Sequence, residues 1–93
     1  MFECRAHIKS MYGIHARPSY AIYSEAVKYT DTVIMLLDPE TNQIFDAKSV
    51  LSVLCLNKKC GDLIIVQASG EQEKEAATEV ARVIRTFEIK LEK

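Results

Sequence analysis

Between Gly13 and Pro18 the chain reads GIHARP. Two of its side chains can do chemistry together. The imidazole of His15 is a nucleophile that is neutral and available near pH 7, because its unperturbed pKa is about 6.5. The guanidinium of Arg17 can reach phosphate oxygens with charged donors. Pro18 suits the first turn of a helix, where its missing N–H would have no partner, and it restricts the backbone of Arg17. Gly13 permits tight or positive-φ geometry before the histidine. A histidine directly before a helix has free N–H groups and the positive end of the dipole beside it, so an anion there would find donors in place. Taken alone, a histidine before a helix is most often a solvated or capping residue.

The surrounding sequence must supply the elements that hold this junction. Residues 2–9 alternate, with Phe2, Cys4, Ala6 and Ile8 against Glu3, Arg5, His7 and Lys9. That period predicts a strand with one buried face and leaves His7 exposed. From Pro18 to Tyr29 the period changes, and Ala21, Ile22, Ala26 and Val27, with Tyr29, form a helical stripe. Residues 32–37 form a short apolar run rich in β-branched residues, a second strand. Asp38 to Asn42 carries turn chemistry, and residues 43–47 resume a strand, giving a hairpin. Val50, Leu51, Val53, Leu54 and Leu56 fit a short helix with a wide apolar face, and Ser49 is a good N-cap for it. Residues 62–68 form an apolar strand suited to the sheet centre. Ser69 and Gln72 have capping-box spacing before the last helix. Glu71 and Glu73 suit its positive end, and Ala76, Ala77, Val80, Val83, Ile84 and Phe87 make its inner stripe. The order is β-α-β-β-α-β-α: an α+β fold with a four-stranded antiparallel sheet and three helices on one face. A ferredoxin-like sandwich would give a related order.

Composition narrows the function classes. The 93 residues suit a single domain over 1–93. Twelve Lys and Arg against thirteen Asp and Glu give a net charge of -1. That balance argues against nucleic-acid binding. Lys58 and Lys59 read as a solvated pair. There is no apolar run of about 18 residues, hence no membrane insertion. The opening MFECRAHIK has no signal-peptide core, which points to the cytoplasm. The 3 cysteines, Cys4, Cys55 and Cys60, lack metal-ligand spacing and do not suggest a disulfide framework. Buried free thiols are expected, and no metal or cofactor is called for.

Two segments carry a family resemblance. GIHARPSYAIYSEAVKY resembles the active-site segment of HPr, the histidine phosphocarrier of the sugar phosphotransferase system. KSVLSVLCLNKKCGDLIIVQASGEQEKEA resembles that family's regulatory-serine segment, the strand after it and the start of its last helix. The element order also fits, so the similarity covers nearly the whole chain, with a small insertion in the 38–47 hairpin. The resemblance implies an HPr-like open-faced β-sandwich. It implies that His15 is the phosphohistidine, phosphorylated on its δ nitrogen, and that Arg17 stabilises the phosphate. It implies that Ser49 is open to regulatory phosphorylation. The docking face would be Ala16, Arg17, Tyr20, Val50, Leu51, Leu54, Cys55 and Asn57. The implied partners are enzyme I and enzyme IIA proteins, with a serine kinase/phosphorylase and a transcriptional regulator for the serine switch. The protein would be a monomer, and a carrier acted on by enzymes rather than an enzyme.

Several residues depart from the family's pattern. Tyr12 stands where a small polar residue is common. Ser19 and Tyr20 replace small apolar residues, and Tyr20 enlarges the docking face. Ser24 and Ser52 fall where many relatives carry lysine or another residue. Asn57 holds a place usually given to glycine, and asparagine tolerates left-handed backbone. Three functions stay open at this point. One is the phosphocarrier. Another is a regulatory binding module controlled by phosphorylation, without sugar transport. The last is an unrelated small α+β interaction domain.

Overall fold

Alternating burial along the strands organises the molecule. A computed structural model describes residues 1–9, 16–56 and 58–86. The elements are β1 (Phe2–His7), α1 (Ala16–Ala26), β2 (Thr32–Asp38), β3 (Gln43–Asp46), α2 (Val50–Leu54), β4 (Leu63–Gly70) and α3 (Glu73–Thr86). The strands form one sheet in the order β1-β4-β2-β3, and every neighbouring pair is antiparallel. Ile65 of β4 lies opposite Arg5 on one side and Leu37 on the other. The fold is the expected α+β sandwich with an open sheet.

One sheet face is dry. Ala6, Ile34, Leu36, Ile64, Val66 and Ala68 join Ile22 and Ala26 of α1, Val53 of α2 and the inner stripe of α3 in one core. Small residues let α3 approach closely, since Ala76, Ala77 and Ala81 are each 0% exposed. The helix packs on β1, β4 and β2, and α1 packs on α3 and α2. The other sheet face stays open, with Val33 and Ile44 more than half exposed. His7 is exposed, as its place on the polar row requires.

The structure corrects four sequence expectations. The fourth strand runs on to Gly70, with Ser69 paired to Val33, so Ser69 is not a cap. Instead the Glu73 carboxylate accepts from the Gly70 N–H at 3.3 Å, and Thr32 Oγ1 accepts from the Gln72 N–H at 3.1 Å. No reciprocal box forms, because the strand holds both Ser69 and Gly70, and Thr32 and Glu73 make these bonds instead. Gly70 has φ +142, and a Cβ there would sit 2.7 Å from Thr32 Cα. Val27 falls beyond the end of α1 and is exposed, so the stripe ends at Ala26. Phe87 lies outside the described residues. Cys55 and Cys60 are exposed and Cys4 is half-buried. Cys55 caps a helix whose one buried residue is Val53, and Cys60 sits in a turn.

Lys58 is the fourth correction. It is not solvated; only 8% of it is exposed. The alternation of β2 turns Asp38 inward, where an isolated carboxylate would be costly. Lys58 Nζ donates to Asp38 Oδ1 at 3.1 Å and to Glu40 Oε1 at 2.6 Å, with Asp62 Oδ2 at 4.0 Å. The hydrogen bond to Glu40 leads in holding the ammonium above the ordinary lysine range, against burial. Burial would raise the Asp38 carboxyl, but donors from Lys58, Glu40 N–H and Thr41 leave it below the ordinary range. Asp38 therefore adds stability above its unfolded pKa that is lost as pH falls through the lower folded value. Lys58 adds stability below its unfolded pKa that is lost as pH rises through the higher folded value.

Lys58→Met should cost roughly 3–5 kcal/mol at neutral pH, because it strands the Asp38 charge. In that variant the Asp38 folded pKa rises above its unfolded value. The deficit should therefore shrink as pH falls toward 5. Denaturant unfolding across pH 5–8 measures both effects.

Candidate functional site

The candidate site lies where α1 and α2 come together. The first turn of α1 is Ala16, Arg17, Pro18 and Ser19, with no acidic residue in it. Nothing in that turn cancels the positive end of the helix dipole, and its early N–H groups have no intrahelical partners. Arg17 is the second residue of the helix. His15 directly precedes it in the chain, and it lies, like Asn57, outside the described residues. The core row of α1 is Ser19, Ile22 and Ala26, each at most 1% exposed. That row sets which face remains outward.

Tyr20 begins the outward face and is 63% exposed. The Tyr20 and Tyr23 rings have centroids 6.0 Å apart and are tilted by 40°. Their i, i+3 spacing is the sequence signal for this pair. From α2, Leu51 is 73% and Leu54 38% exposed. Val50 is half-buried, Cys55 is exposed, and Val53 alone of the helix is fully buried. Of the residues expected on the docking face, Tyr20, Leu51, Leu54 and Cys55 are exposed together on α1 and α2. A short helix that buries one residue and exposes two leucines presents an apolar surface.

Ser49 is the N-cap of α2, as its residue type predicts. Its backbone is extended, with φ -128 and ψ 113. Its Oγ accepts from the Ser52 N–H at 3.3 Å, and its carbonyl accepts from the Val53 N–H at 3.0 Å. Two further ties hold this end. Lys48 Nζ donates to the Tyr29 carbonyl at 2.6 Å, and the Asp46 N–H donates to Ser52 Oγ at 2.9 Å. The first fastens the start of α2 to the end of α1. Neither tie has a sequence signal, because each links residues through tertiary geometry. At Cys55, the C-cap, the N–H donates to the Leu51 carbonyl at 3.2 Å.

Beyond α1, Tyr29 donates its hydroxyl to Glu25 Oε2 at 3.0 Å. Burial first, then Glu25, Glu75 and Glu79, push its pKa up to about 12. The described residues hold no group of three or more His, Cys, Asp or Glu side chains suited to a metal ion. No described helix is long and apolar enough to cross a membrane.

Comparison with known proteins identifies the architecture. A family model described as the PTS HPr component phosphorylation site matches residues 2–86. The chain belongs to the HPr family. It is 28% identical to the phosphocarrier protein HPr of Buchnera aphidicola, over 95% of this chain and 100% of that one. It is 35% identical to the phosphocarrier protein NPr of Escherichia coli K12, over 86% of this chain and 83% of that one. The crystal structure of HPr-C-His from Thermoanaerobacter tengcongensis matches with TM-score 0.81 and 28% identity, covering 90% and 91% of the two chains. HPr proteins are phosphocarriers of the phosphotransferase system, and that is this chain's class.

Ser49→Ala should destabilise the protein by about 1 kcal/mol through the lost cap, while Ser49→Asp stays within roughly 0.5 kcal/mol of the parent. Thermal unfolding of the two variants tests the pair.

Proposed function

We propose that the chain accepts a phosphoryl group from phospho-enzyme I on His15 and passes it to enzyme IIA proteins. The observation that carries this is the family match over residues 2–86, which contains the whole GIHARP segment. The acid-free first turn of α1 supports it, because it offers free N–H groups and an uncancelled dipole to an anion. Arg17 adds a permanent cation to that turn.

The chemistry is a transfer between two nitrogens. The unprotonated nitrogen of neutral His15 attacks phosphorus, and the other ring nitrogen keeps its proton. The new N–P bond forms as the N–P bond on enzyme I breaks. Such a loose transfer needs alignment and charge stabilisation more than covalent help. The chain supplies the nucleophile, the helix end and Arg17, and the partner supplies the rest. It is thus a carrier and not an enzyme. It works as a cytoplasmic monomer of one domain, with no cofactor and no nucleic-acid partner.

Docking would use Ala16, Arg17, Tyr20, Val50, Leu51, Leu54, Cys55 and Asn57. The exposed side chains of Tyr20, Leu51 and Leu54 favour this surface. Apolar and aromatic groups beside a charged site suit a partner interface.

A second reading is a regulatory module without sugar transport. Ser49 favours it, being half-exposed at the cap of the same short helix. Phosphate there would add roughly two negative charges beside the docking face. A serine kinase/phosphorylase and a transcriptional regulator would then be partners.

Mixing the chain with matched enzyme I and phosphoenolpyruvate should give an acid-labile, alkali-stable phosphate on the parent and none on His15→Ala. No label with active enzyme I would overturn the carrier reading. Leu51→Glu should fold normally and raise the KM of enzyme I for the chain at least about fivefold, as loss of a central apolar contact does. An unchanged KM would remove α2 from the docking face.

A further inference from the structure

We propose that Lys58 is a positioning residue for partner docking: its bonds to Asp38 and Glu40 fix the chain just past α2, and so hold Leu51 and Leu54 where a partner meets them. The inference rests on the docking reading above. A helix of five residues has little stability of its own. Its leucines add none, because Leu51 and Leu54 face solvent. Val53 is the one residue that α2 buries fully. A single buried side chain pins a point and leaves the helix free to pivot about it. Ser49, Ser52 and Lys48 hold the start. The orientation of the helix needs a second fixed end.

Lys58 supplies that end. Its buried Nζ donates to Asp38 Oδ1 at 3.1 Å and to Glu40 Oε1 at 2.6 Å. The acceptors are themselves held. Asp38 pairs with Gln43 across the hairpin. The Glu40 N–H donates to Asp38 Oδ1 at 3.0 Å, and the Asn42 N–H donates to the Asp38 carbonyl at 2.7 Å. The turn after Lys58 is tied from the other side. There the Gly61 N–H donates to the Ile8 carbonyl and the Ile8 N–H to the Asp62 carbonyl, each at 2.9 Å. Lys58 therefore bridges the β2–β3 hairpin and a turn laced to the end of β1. Stability gives no reason for a charge here, since apolar residues in place of a buried ion pair are often neutral or stabilising. Direction gives one. Leu56 is also buried past the helix, but apolar contact is non-directional. Hydrogen bonds fix a separation and an angle. The pair thus sets where α2 stands, and a partner meets leucines that are already placed.

The test compares the full-length parent with Glu40→Ala and with the double variant Lys58→Met/Asp38→Asn. The Glu40 side chain is 74% exposed, so its removal cuts one arm of the clamp without opening the core. The double variant removes both buried charges and strands neither, and asparagine keeps the oxygen that the Glu40 N–H needs. Three things are read: the melting point, amide exchange at Val53 and Cys55, and the KM and kcat of enzyme I for each protein with phosphoenolpyruvate. The double variant should melt near the parent and exchange those two amides about tenfold faster. Its KM should rise roughly fivefold at an unchanged kcat, because the cost of ordering α2 then falls on binding. Glu40→Ala should move exchange and KM the same way by less. Parental exchange and KM in the variants that fold would overturn the proposal and leave the pair a packing feature. Faster exchange with an unmoved KM would overturn it too, since the partner would not need a held helix. A parent that takes no phosphoryl group from active enzyme I would overturn the carrier reading and the docking role with it. The parent arm alone separates that failure from a failed clamp, which the exchange arm reports without any partner.

Discussion

A five-residue helix cannot hold itself in place. Isolated helices this short do not form in water, yet α2 holds two leucines out in solvent. Its position depends on ties at its two ends. At the start, Ser49 caps it, Ser52 Oγ holds the Asp46 N–H, and Lys48 reaches the Tyr29 carbonyl. After its end, Lys58 is clamped between Asp38 and Glu40 of the β2–β3 hairpin. Between them Val53 anchors the middle in the core. The surface is therefore set by polar bonds at its margins and one buried valine at its centre.

These margins also explain what the sequence could and could not disclose. Strands and helices were legible because their periods are local. The alternation of residues 2–9 marks β1 and the exposed His7, and the small residues of α3 mark a close-packed stripe. The Ser49 cap was legible because a serine before an apolar run has a local partner, the Ser52 N–H. Lys58 was not, since its partner Asp38 is 20 residues away in sequence, and a Lys-Lys pair looks solvated. The bond from the Gln72 N–H to Thr32 was hidden for the same reason: it spans 40 residues, and pairing with Val33 holds Ser69 in the strand. The thiols were misjudged from residue type, which favours burial, when local position decided exposure.

The candidate site was legible in a different way. His15, Arg17 and Ser49 stand out by spacing and by resemblance, and the family match over residues 2–86 agrees with that resemblance. What spacing could not supply is the character of the first turn of α1. That turn combines a proline, no acidic residue and a buried serine with nothing to bond. The outward face of α1 is similarly a result of packing. Once Ser19, Ile22 and Ala26 turn inward, Tyr20 must face solvent.

That last placement gives the molecule an optical property. The chain has no tryptophan and 4 tyrosines, so its near-ultraviolet emission comes from phenol rings. Tyr29 is bonded to a carboxylate and buried in the core, which favours quenching in place. Tyr20 stands on the exposed face of α1, with Tyr23 as its neighbour at 6.0 Å. Among the described rings, light therefore samples the outward face of α1 more than the core, and a tryptophan brought against that face would draw the excitation away.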